Sequence, residues 1–124
     1  MMQTELDIVL QYLGTPYVPG GRDATGLDCF GLCIAVYLNC LKANISLATG
    51  DCLDTGGWER IDQPESLCIV RMQDIKGNCH VGLYMESNRG AVLHCAPGRG
   101  VVVSAMSSLQ DMQLCVTSFF RLKP

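Results

Sequence analysis

The chain has 124 residues, 48% of them hydrophobic, and a formal net charge of −3. That length matches one domain with enough apolar surface for a core, so residues 1–124 are expected to form a single domain and a disordered chain is excluded. With an acidic balance and only 6% aromatic residues, nucleic acid finds neither a basic track nor a stacking platform, and an anionic membrane finds no counter-charge.

The first residues, Met1 to Asp7, hold no basic stretch and no apolar h-region. The expectation is cytoplasmic synthesis without a signal peptide, and no apolar run reaches the roughly 18 residues of a membrane span. Thr4-Glu5-Leu6-Asp7 reads as a capping box with a shortened acid, opening a helix with apolar residues at 6, 9, 10 and 13. Gly14 and Pro16 end it. Residues 14–26 carry four glycines and two prolines, which predicts a loop without regular structure whose backbone approaches something closely.

Asp28 is a good N-cap for a helix over 29–42 that is apolar nearly all round and therefore central. Residues 43–66, with the single tryptophan Trp58, are polar and turn-rich. Strand-like runs follow at 67–72, 79–85, 91–96, 101–104 and 114–120. Helices first and strands afterwards predict an α+β fold with an antiparallel sheet.

The eight cysteines lie mostly inside apolar runs, and no two are separated by two residues. Neither a disulfide framework nor a zinc-ribbon spacing results, so no disulfide, cofactor or metal is expected. Cys29 differs from the rest. It opens a helix directly after a glycine-rich loop, where unpaired N–H groups and the helix dipole favour a thiolate. With a charged histidine beside it, the thiolate is expected to be the major form.

There are only two histidines, His80 and His94, both on the strands of a predicted hairpin turning through 86–90. A pairing register with an even sum puts both on one sheet face. One imidazole then takes the thiol proton while the other fixes its tautomer. Zinc on Cys79-His80 and His94-Cys95 is the rival, weakened because adjacent strand residues point to opposite faces.

Gly14-Thr15-Pro16-Tyr17, Gly20-Gly21, Gly26-Leu27-Asp28-Cys29-Phe30-Gly31-Leu32 and His80-Val81-Gly82-Leu83-Tyr84, followed by Val92-Leu93-His94 and Gly100 to Val103, resemble the NlpC/p60 cell-wall cysteine peptidases, in the family's order. The resemblance implies a papain-like α+β fold and cleavage of peptidoglycan stem peptides after D-glutamate, next to the diamino acid. It implies Cys29 as nucleophile, His80 as base and His94 as the third polar residue. Tyr17 is implied as an oxyanion donor beside the Cys29 amide, with Asp28 on the substrate side. An aromatic after the cysteine and the Trp58 region resemble the tail-associated hydrolases of phages and prophages, which implies phage tail partners and a virion-associated location.

Three departures stand out. Phe30 replaces the family's usual serine, which helps hold a free amino end. The His80–His94 spacing is about two residues longer than the family's usual one, with the extra length in the 86–90 turn, and Glu65-Ser66-Leu67-Cys68 replaces the usual Gly-Asp. Two rivals to the peptidase stay open: a non-catalytic phage tail assembly or binding protein, and acyl transfer on lipids, for which no amphipathic element is visible.

Overall fold

The computed structural model describes residues 4–45, 47 and 57–123. Helix α1 (Glu5–Tyr12) starts on the expected capping box: Thr4 Oγ1 accepts from Asp7 N and Asp7 Oδ2 accepts from Thr4 N. Its buried face is Ile8, Val9 and Tyr12, whereas Leu6, Leu10 and Leu13 are 64%, 67% and 52% exposed. The expected stripe at 6, 9, 10 and 13 is therefore wrong except at Val9. The inward face begins with a charge: the Glu5 carboxylate accepts from the backbone N–H groups of Glu86 and Ser87 at 3.0 and 2.8 Å. Residues three, four and seven positions on from Glu5 share its face, and these are Ile8, Val9 and Tyr12.

The glycine-rich stretch is not wholly irregular. Strands β1 (Arg22–Asp23) and β2 (Gly26–Leu27) form a small antiparallel ribbon, and Tyr17 bridges to Leu27. The stretch is also fastened to the main sheet, because Gly14 N donates to Val101 O and Val101 N donates to Thr15 O. A side chain at Gly100 would collide with Thr15 O, so glycine is required for this close approach.

Helix α2 (Cys29–Cys40) has Asp28 as N-cap, as expected, its Oδ1 accepting from Gly31 N at 2.7 Å. The expected end at residue 42 is two residues late. Strands β3 (Trp58–Ile61), β4 (Ile69–Asp74), β5 (Cys79–Met85), β6 (Ala91–Ala96), β7 (Gly100–Ala105) and β8 (Leu114–Leu122) form one sheet in the order β3-β8-β4-β5-β6-β7. Every neighbouring pair is antiparallel. Strand β3 was not expected in the polar 43–66 stretch. It is a short edge strand held by β8, with Glu59 opposite and ion-paired to Arg121 at 2.8 Å, while Trp58 stacks edge-on against Tyr37.

Alternation across the sheet makes two apolar layers. Val81, Leu83, Leu93 and Cys95 pack under α1 and α2 with Ile8, Leu32 and Val36. Val70, Met72 and Val92 face the other way and are closed over by Leu109 of the 3-10 turn Met106–Met112. The seven described cysteines are free thiols, and Cys52 lies outside the described residues. Among the described residues, no helix is long and apolar enough to cross a membrane.

Candidate active site

Strands β5 and β6 pair as Leu83↔Leu93 and Tyr84↔Val92, an even sum. His80 and His94 therefore share a face, the one opposite the helices. They are 8% and 0% exposed, and His80 Nε2 lies 2.8 Å from His94 Nδ1 with the rings nearly perpendicular. His94 Nε2 is 2.9 Å from Ser104 Oγ on β7, and Ser104 Oγ donates to Met112 Sδ at 3.3 Å.

Cys29 comes from the other layer, at the N-terminus of α2. The two layers meet where β5 begins, at a cleft of about 530 Å³ whose wall includes Cys29, His80, Tyr17 and Asp28. Backbone N–H groups of Val81 and Phe30 point at the sulfur. With His80 Nε2 engaged by His94, Nδ1 is the His80 nitrogen left for the thiol proton.

Burial pushes the Cys29 thiol up to about 11. The Val81 amide lowers it, the Asp28 carboxylate and Cys79 raise it further, and the Phe30 amide lowers it. This reverses the expectation of a thiolate as the major form, because burial outweighs the first-turn amides. His80 is held down at about 4, first by burial, and His94 likewise, with the charge of His80 adding to the fall. Each charge alone is unfavourable here. Moving one proton from sulfur to imidazole creates both charges together, each stabilising the other.

Tyr17 stands on the cleft wall, its phenol raised by burial and then by the nearby charges of Cys29 and Asp28. Asp28 also borders the cleft, but its carboxylate is occupied. It accepts from Gly31 N, from Arg22 Nη1 at 2.7 Å and from Gly20 N at 3.2 Å. Its work is to cap α2 and hold the preceding loop across the first turn. Phe30 is half-buried on the same wall.

Sequence reasoning missed three contributors. Ser104 shows only as a polar residue closing an apolar strand run. Gly82 faces the histidines, and a Cβ there would lie 3.0 Å from His94 Cβ. The β4–β5 turn carries Ile75 and Lys76 to the cleft rim, stiffened by Asp74, whose Oδ1 accepts from Lys76 N and Asn78 N. Lys76 is the lysine among the lining residues, and none of them is an arginine. Among the described residues, no three His, Cys, Asp or Glu groups converge as metal ligands.

A cysteine at a helix N-terminus and a sheet histidine on one cleft, the histidine held by a second, buried one, define the thiol-peptidase class of site. The chain belongs to the NlpC/P60 family, whose model matches residues 14–117. It is 26% identical over 100 residues to a probable endopeptidase of Haemophilus influenzae, covering 79% of this chain and 61% of that protein. It is 30% identical over 97 residues to Protein P54 of Enterococcus faecium, covering 77% of this chain and 18% of that protein. The chain thus spans less than two thirds of either curated relative. Its fold is similar to the crystal structure of the NlpC/p60 domain of the peptidoglycan hydrolase SagA, with a TM-score of 0.67 and 27% identity over 90% of this chain and 92% of that one.

Proposed function

We propose that this protein is a cysteine peptidase that hydrolyses an amide in peptidoglycan stem peptides, between D-glutamate and the diamino acid, through an acyl-enzyme. Cys29 gives its proton to His80 and attacks the carbonyl carbon. The oxyanion is held by the Cys29 amide and the Tyr17 hydroxyl. His80 then protonates the leaving amine and later activates the water that releases the acyl group. Stem peptides carry free carboxylates, for which Lys76 at the cleft rim is a cationic partner.

The observation that carries this reading is the cleft shared by Cys29 and His80, with His94 buried behind it at 2.8 Å from His80 Nε2. Digestion of purified muropeptides with mass analysis of the products tests it. New fragments cut at one amide support it, provided that Cys29→Ala produces none. An intact substrate in both cases sinks it.

The finer assignment within the same proposal is a wall hydrolase associated with a phage tail. It leans on Phe30 after the nucleophile and on the Trp58 region. The rival is a tail assembly protein that keeps the fold without the chemistry, favoured by the thiol held near 11 and by Phe30 on the cleft wall. Purified particles separate the two: both place the chain in the tail, but only the hydrolase reading predicts muropeptide cleavage that stops when Cys29 is alkylated.

A further inference from the structure

We propose that Ser104 and Met112 are positioning residues that set the direction of hydrogen-bond donation from His80 through His94, and so decide whether Nδ1 of His80 is left as a base for the thiol. The catalytic meaning of this role rests on the peptidase reading above, but the role itself is visible without activity.

A neutral imidazole carries one N–H, and one hydrogen serves the 2.8 Å contact between His80 Nε2 and His94 Nδ1. That hydrogen has two possible owners. If His94 donates from Nδ1, its Nε2 is a lone pair that takes the Ser104 hydroxyl hydrogen. His80 then accepts at Nε2 and carries its hydrogen on Nδ1, so that it presents a donor to the cleft it shares with Cys29 and takes no proton. If His80 donates from Nε2, His94 Nε2–H donates to Ser104 Oγ, and the Ser104 hydrogen needs another acceptor.

Met112 Sδ, at 3.3 Å, is that acceptor, and a thioether has nothing to donate. The second arrangement therefore makes three hydrogen bonds along the chain where the first makes two. Burial of His94 and Ser104 gives an unmade bond its full weight. The second arrangement also survives the reaction unchanged. When His80 gains the thiol proton it holds hydrogens on both nitrogens, and Nε2–H already points at His94.

The fold holds these groups in place. Ser104 sits opposite Val92 on β7, one pair diagonal to His94 opposite Val102. Met112 ends the 3-10 turn just before Gln113, whose left-handed conformation returns the chain to β8.

Nitrogen-15 NMR of the histidine rings at pH 7 reads the tautomers directly. The parent is expected to carry N–H at ε2 on both rings. Met112→Leu conserves volume and removes the sulfur, so His80 should shift to Nδ1–H, with kcat/KM on muropeptides down about fivefold to tenfold, the worth of one net hydrogen bond. Ser104→Thr keeps the hydroxyl and should keep both parent tautomers. A parent His80 with its hydrogen on Nδ1 overturns the proposal without any variant, and so does an unchanged tautomer in Met112→Leu. Tautomers that behave as expected in a protein that cuts no muropeptide uphold this assignment and overturn the peptidase reading instead.

Discussion

Gly82 sits against His94 just beyond the Leu83↔Leu93 pair of β5 and β6, and its missing side chain leaves the room that His94 occupies beside His80. A Cβ at 82 would lie 2.6 Å from Val92 Cγ1 and 3.0 Å from His94 Cβ. Gly82→Ala is expected to cost about 1–3 kcal/mol of stability, the usual penalty of overpacking, and to lower kcat more than KM. Urea unfolding and steady-state kinetics on the same preparation check this. Parent-like values for both would show that His94 needs no such space.

Substitutions along the reaction path should fall in a definite order. Cys29→Ala and His80→Ala each abolish turnover, and the double variant is no worse, because the two act as a unit. His94→Ala removes orientation and leaves measurable activity. Tyr17→Phe deletes one oxyanion donor and costs on the order of 10²–10³ in kcat. Cys33→Ala, one turn along α2, keeps activity. Single-turnover assays on a defined muropeptide rank the series, and equal activity in Cys29→Ala and the parent would end the assignment.

Acid should destabilise the protein before carboxylates matter. His80 and His94 sit near 4 in the folded chain against 6.5 when free, so the unfolded chain binds protons more readily in that interval. Their contribution is fully present above pH 6.5 and declines as pH falls toward 4. Cys29 runs the other way: raised to about 11 from 9.0, it contributes below pH 9 and is lost as pH climbs through 11. Urea midpoints should therefore fall between pH 7 and 5, and less steeply in a His80→Gln, His94→Gln variant. A flat parent profile over that range contradicts the burial of the pair.

Lys76 should act on binding alone. Lys76→Ala is expected to raise KM several-fold with kcat nearly unchanged, and added salt should narrow the gap between the two proteins, since a rim charge is screened. An unchanged KM at low salt would move the carboxylate partner elsewhere.

The reaction centre was legible in the sequence because scarcity and position both pointed at it. Two histidines on facing strands, with a hairpin of even register, leave few arrangements, and Asp28-Cys29 after a glycine-rich loop announces a helix start. The rotation of α1 was not legible, since periodicity follows apolar residues while the inward face of this helix is led by Glu5. Strand β3 was hidden for a similar reason. An edge strand with Glu59 and Arg60 exposes polar side chains and carries no clear alternation. Ser104 and Met112 are ten and eighteen residues beyond His94 and meet it only through the β6–β7 pairing and the following turn.

The fastening of Gly14 and Thr15 to Val101 has a meaning for solubility as well as for the position of Tyr17. Strand β7 ends the sheet, and an uncovered terminal strand offers its amide and carbonyl groups to any extended chain that drifts past. Here the loop occupies donor and acceptor of Val101 near the start of the strand, and only because Gly100 lets it lie so close. A residue with a side chain at 100 would dislodge the loop and, in doing so, open a template for self-association in the flank of the molecule.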